Sequence, residues 1–220
     1  LKIMMNLFNI FDPSTFIMNL EINWISTLLI MLLLPNLFWI SPNRIKILLN
    51  KMLFNNLNKE MLMLHKTNNF KSPSFMFITL FMFIFMNNFM SLFPYIFSSS
   101  SHMVFSMTLA LPFWLFFILM SIYYNTKNMI AHLIPLNTPM MLAPLMTLIE
   151  TMSIFIRPIS LSIRLTANLI AGHLLMSLLN FNSMMIIILL IQMFMMMFEL
   201  CVAIIQSYVF SILSCLYSSE

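Results

Sequence analysis

The chain has 220 residues, of which 61% are hydrophobic and 7% charged, and it carries a formal net charge of +4. Its mean hydropathy is +0.98. Soluble domains carry about 25% charged residues, so a soluble fold is excluded, and the chain reads as an all-α polytopic membrane protein of about five to six helices.

A membrane-spanning helix needs about 20 apolar residues. Ile22–Ile40 is the first such stretch, with Trp24 and Trp39 placed as interface anchors. Asn43–Lys71 is polar and basic with Leu, Met and Phe interleaved, and is expected to lie on the membrane surface as an amphipathic helix. Pro73–Phe93 is the second apolar helix, stopped by Pro94, and Ser98–His102 reads as a short polar turn. Val104–Tyr124 is the third, with Pro112 inside it, and Asn125–Thr138 reads as a loop holding Lys127 and His132. Pro139–Asn180 is a long helical stretch. Forty-two residues would rise about 63 Å, twice the hydrocarbon thickness, so it either breaks at Pro158 or is strongly tilted. Asn180–Ser183 is a turn, and Met184–Tyr217 is a second long helix. The whole chain, 1–220, reads as one polytopic domain: an N-terminal span in 1–41, a basic surface segment in 42–72, a helical hairpin in 73–124 and a long, tilted helical hairpin in 139–217.

The basic excess does not point to nucleic acid. Six of the ten Lys and Arg (Arg44, Lys46, Lys51, Lys59, Lys66 and Lys71) lie in one segment. That is the pattern of a loop kept on one side of a membrane, and it is equally compatible with a merely solvated loop. Lys127 is expected on the same side and the N-terminus on the other. Lys2 and the Met-rich start do not lead into a short apolar core with a cleavage site, and Asp12 argues against a transit peptide. Insertion is therefore expected to be directed by the helices themselves.

Outside the loops the ionisable side chains are Glu150, Arg157, Arg164, His173 and Glu199, joined by the amides Asn168 and Gln206. An arginine stays protonated, and placing one at membrane depth costs about 2.5–3.5 kcal/mol on insertion scales, so a use for the charge of Arg164 is expected. Glu150, Arg157 and Arg164 step by seven and drift only about 20° per step on a helix, and Asn168 joins their face. Ser153, Ser160, Ala167 and Ala171 lie close to the same side, and small residues let another helix approach closely. His173 is half a turn round from Arg164 and about 13 Å along, facing the rest of the protein.

On the last helix Glu199, Ala203, Gln206 and Phe210 share a face. Two long helices joined by a short turn run antiparallel, and counting from the turn brings Arg164 to the level of about residue 199, good to a turn or two. Glu199 near His173 and Gln206 near Arg164 are both permitted. A carboxylate and an imidazole in a half-dry cavity form a proton relay. Two structural readings stay open: a simple Glu199–His173 hydrogen bond, and an internal ion pair of Arg164 with Glu150 or Glu199.

Cys201 and Cys215 are about 21 Å apart along one helix, too far for a disulfide. No metal-ligand cluster is formed by Cys or His, no cofactor is indicated, and no G-x-x-x-x-G-K-[ST] phosphate loop is present, with one glycine in the chain.

The block ISLSIRLTANLIAGHLL, preceded by LIETMS and followed by FELCVAIIQSYVFSILSCLY, resembles the subunit a family of mitochondrial F-type ATP synthases. The resemblance covers essentially the whole chain and is strongest over 139–217. It implies a multi-pass protein of the mitochondrial inner membrane, with other membrane-sector and peripheral-stalk subunits as partners. The central partner would be a rotating ring of c subunits, each with a buried carboxylate. Two aqueous half-channels would carry protons to and from that ring. Arg164 would separate them and attract the passing carboxylate, and His173 and Glu199 would line the entry half-channel. Asn168 and Gln206 match polar positions beside the arginine, and Glu150 matches an acidic residue associated with the channel. Arg157 departs from the glutamine or lysine that some members carry there. The phosphoryl chemistry would belong to other subunits.

Two other classes compete. A proton-pumping or haem-bearing redox subunit would want buried lysines or facing histidine pairs, whereas every Lys lies in a terminus or loop and only His173 is clearly intramembrane. A solute transporter would be expected to show repeats and Gly-interrupted helices, and neither is found.

Overall fold

Backbone groups in hydrocarbon have no water to bond, so a chain this apolar must satisfy them within itself as helix. The computed structural model of the protein describes residues 11–15, 20–31, 54–63, 72–93, 96–134, 139–181 and 186–219. Among them the structure is helical throughout: α1 (Ile25–Met31), α2 (54–63), α3 (Ser72–Ser91), α4 (Met103–His132), α5 (Ala143–Phe181) and α6 (Ile186–Ser219). Two 3₁₀ turns, Ile22–Trp24 and Ser99–Ser101, precede α1 and α4.

Among the described residues, three helices carry segments long and apolar enough to cross a membrane: Met103–Tyr123, Ala143–Leu179 and Ile188–Leu216. The apolar part of α3, Phe75–Ser91, is shorter. The expected first span is described only through α1, and of the basic segment only the helical 54–63 and Ser72 are described; the remainder of both lies outside the described residues, as do residues 182–185 between the last two helices.

Side-chain pairs set the packing. Trp114 meets Phe155 and Ser162 reaches Met107, so α4 and α5 run antiparallel. Phe81 meets Tyr208, and Phe77 and Ile78 pack with Cys215, so α3 and α6 do the same. α5 and α6 are antiparallel neighbours as well. All four meet in one apolar core of Leu80, Ile84, Ala110, Leu161, Leu165, Leu169 and Phe210. α2 lies across the end of the bundle where α6 finishes and α3 begins, with Met61 fully buried against Phe77, Ile78 and Cys215. Its Glu60 carboxylate accepts a hydrogen bond from Tyr208 at 3.0 Å.

One expectation needs correction, an open choice is decided and a third reading is refined. Asn125–His132 is the last part of α4 and not a loop: no Gly or Pro interrupts it before Pro135, and a helix can satisfy its own backbone as it leaves the apolar layer. α5 runs unbroken through Pro158. Its 39 residues rise about 58 Å, so tilt rather than a break keeps its apolar length in a bilayer about 30 Å thick. The short polar turn expected at Ser98–His102 is present, with all four serines buried and the turn packed against α3, α4 and α5.

Candidate functional site

α5 is two-faced. Leu161, Ser162, Leu165, Thr166 and Leu169 are buried against the bundle, while Arg164, Ala167, Asn168 and Ala171 are exposed on the opposite side. The step of three and four residues that buries the leucines turns the guanidinium outward. Arg164 has no hydrogen-bond or ion-pair partner among the described residues. An internal ion pair with Glu150 or Glu199 is therefore not formed. The charge sits on an open face floored by alanines, where no large side chain stands between it and an approaching helix.

Behind this face α5 meets α6 at the one glycine. A methyl group placed on Gly172 would lie 3.0 Å from the Glu199 carboxyl carbon and 3.1 Å from its Oε1. The absent side chain is what admits the carboxyl group between the helices. This contact sets the register of the hairpin: Glu199 lies level with Gly172 and His173, about two turns from the level obtained by counting from the turn. With α6 antiparallel, the same register brings Gln206 to the level of Leu165, beside Arg164.

Glu199, Gln206, Asn168, Gly172 and Asn88 line a common cavity of about 380 Å³ between α3, α5 and α6. Glu199 is half-buried, and its Oε1 is enclosed without a hydrogen-bond partner. His173 is also half-buried, with Nε2 enclosed and unpartnered and its ring edge-on to Phe11 at 6.2 Å. The two groups are level but not hydrogen-bonded to each other, so the simple structural hydrogen bond is not formed. A cavity whose polar atoms are not used up by one another can hold water and exchange protons with it.

The remaining residues stand apart. Glu150 is half-buried near the start of α5, fourteen residues and about 21 Å from Arg164, and does not line the cavity. Its backbone carbonyl accepts the Ser153 hydroxyl at 2.8 Å. Arg157 is half-buried beside Pro158 and is likewise away from the cavity. Cys201 is exposed and Cys215 buried, and the Cys215 thiol donates to the Met61 carbonyl at 3.8 Å. No group of three or more His, Cys, Asp or Glu among the described residues could hold a metal ion.

Asn88 was not found from sequence. It is fully buried, and neither atom of its amide has a partner. The available signal was its place, with Asn87, inside the apolar run of α3. A polar pair at membrane depth asks for a use, but α3 is so far along the chain from α5 and α6 that nothing local ties it to them.

A family model described as ATP synthase A chain matches residues 20–219. The chain is 78% identical over 215 residues to the ATP synthase F(0) complex subunit a of Rhopalosiphum padi, covering 98% of this chain and 99% of that protein. It is 49% identical over 224 residues to the ATP synthase subunit a of Aedes aegypti and 46% identical over 223 residues to that of Drosophila melanogaster. In both cases 99% of each chain is covered.

Proposed function

The chain belongs to the ATP synthase A chain family, and on that premise we propose that it carries protons between two aqueous half-channels and the carboxylates of a rotating ring of c subunits. It is a membrane-sector subunit of the synthase, and we assign it to the mitochondrial inner membrane. The observation that carries the reading is an outward Arg164, without a partner among the described residues, on a small-residue face that shares Asn168 and Ala171 with an adjoining polar cavity.

Each part follows from charge. A ring carboxylate passing the α5 face meets a guanidinium that no other group among the described residues neutralises, and the attraction favours its ionised form. The same fixed positive charge repels a proton moving straight between the half-channels. Glu199, which lines the cavity, and His173, which is level with it but outside the lining, present enclosed polar atoms that can take a proton from water and hand it towards the ring. Asn168 and Gln206 line the same cavity beside Arg164 and supply hydrogen bonds along the last part of the path. Glu150, at the other end of α5, is assigned to the half-channel on that side. One charge crossing 100 mV releases about 2.3 kcal/mol, so several protons must be summed by rotation before one nucleotide is made, and the nucleotide chemistry belongs to partner subunits.

Arg164→Ala in assembled membranes tests the reading. ATP-driven proton pumping should be lost with assembly intact, while passive proton leak through the membrane sector is preserved or increased. Retained pumping would make the arginine structural and overturn the assignment.

A further inference from the structure

Buried side-chain polar atoms fall into two sets. In the bundle interior, the hydroxyls of Ser162, Thr166, Ser207, Ser211 and Ser214 each donate to a backbone carbonyl of their own helix at 2.8–3.3 Å. They need no other partner. Among the described residues, six enclosed atoms have none: both amide atoms of Asn88, Ser100 Oγ, His102 Nε2, His173 Nε2 and Glu199 Oε1. They are not scattered. Asn88 lies near the end of α3, Ser100 and His102 in the connection to α4, His173 near the end of α5, and Glu199 level with Gly172. All therefore belong to the half of the bundle around the α3–α4 turn.

Leaving one buried polar atom unpaired is costly, and six in one region point to a shared partner small enough to reach each of them. Water meets that requirement. The turn supplies continuity: Ser99–Ser101 packs on both α3 and α5, and Ser99 Oγ donates to Asn87 Oδ1 at 3.5 Å, one residue from Asn88. Aromatic side chains cover the same end. The His102 ring lies 5.2 Å from Trp24 and 5.3 Å from Phe97, and Phe11 stands against His173.

We propose that the α3–α4 turn is the outer opening of the proton path, where Ser100 and His102 hydrogen-bond a file of water that passes Asn88 to reach Glu199 and His173. This rests on the proton-path reading above. Trp24 and Phe97 pack against the His102 ring, whose Nε2 is enclosed.

The test uses the assembled complex in membrane vesicles, with Cys201→Ala as the parent because Cys201 is exposed. Silver ion reacts with thiols that water reaches. It should abolish ATP-driven proton pumping in Ser100→Cys and leave the parent unaffected. His102→Phe keeps a ring between Trp24 and Phe97 while removing Nε2, and should slow coupled pumping by about fivefold, the worth of one hydrogen bond. Silver-insensitive pumping in Ser100→Cys together with parent-rate pumping in His102→Phe overturns the opening. If the cysteine variant does not assemble, His102→Phe decides alone. Glu199→Gln measured alongside separates the two readings. Normal pumping there sinks the proton path itself, whereas slowed pumping there beside an unaffected turn sinks only the opening.

Discussion

At the scale of the residue, Gly172 leaves the space that the Glu199 carboxyl group fills. A methyl group at Gly172 meets the far end of a flexible side chain, so Gly172→Ala can be accommodated by moving the carboxyl group a few tenths of an ångström. In a helix interior the same change is worth up to about 1 kcal/mol in favour of folding. Stability and transport should therefore part company: Gly172→Ala is expected to assemble at least as well as the parent while coupled proton flux falls about tenfold through misplacement of Glu199. Thermal stability of the purified complex and pumping by vesicles measure the two effects, and unchanged pumping would show that the position of the carboxyl group is not critical. Arg164 was legible in the sequence because a charge at membrane depth needs a reason. The exposed small-residue face that carries it was legible too, because residues stepping by seven share one side of a helix. Gly172 as the seat of Glu199 was not, since a single glycine does not announce what fills the space above it.

At the scale of the element, α2 is held to the bundle in two ways. Met61 is fully buried against Phe77, Ile78 and Cys215, while Glu60 and Tyr208 share one exposed hydrogen bond. Packing should dominate. Met61→Ala is expected to cost about 2–5 kcal/mol by leaving a cavity, against about 0.5–1.5 kcal/mol for the bond lost in Tyr208→Phe. Thermal unfolding of the purified complex ranks the two, and an equal or larger effect of Tyr208→Phe would show that the polar contact is the anchor. The amphipathic character of this helix was readable from interleaved Leu, Met and charged residues. Its seat on α3 and α6 was not, because Tyr208 and Cys215 lie about 150 residues further on. The unbroken passage of α5 through Pro158 was likewise undecided by sequence. Pro158 lies in the α4–α5 interface, around a cavity of only about 20 Å³ shared with Phe113, Trp114 and Phe210, and close packing there leaves the helix little room to bend.

At the scale of the whole molecule, antiparallel packing places the start of α3, the end of α4, the start of α5 and the end of α6 together, with α2 lying there as well. Lys59 on α2 and Lys127 on α4 are both exposed and belong to this end. The α3–α4 turn belongs to the other. Thiols introduced as Lys59→Cys and Lys127→Cys, in the Cys201→Ala background, should accordingly react with a membrane-impermeant reagent from the same side. Labelling from opposite sides would contradict the bundle. The serine turn shows what tertiary structure adds to a local reading. Four consecutive serines read as a polar turn, and they are buried in it, because α3, α4 and α5 pack against the turn.

What the sequence determined by itself was what is local or periodic: a helical membrane fold, the helices that carry the charges, the outward face of Arg164 and the approach of Glu199 towards His173 to within a turn or two. These follow from hydropathy and from the 3.6-residue period, which relate residues a few positions apart. Tertiary structure decided the register of α5 on α6, through the space at Gly172. It decided the entry of Asn88 into the Glu199 cavity, and the gathering of unpartnered polar atoms at one end of the bundle. Those depend on contacts between helices distant in the chain, where side-chain volume and burial, and not sequence spacing, choose which groups meet.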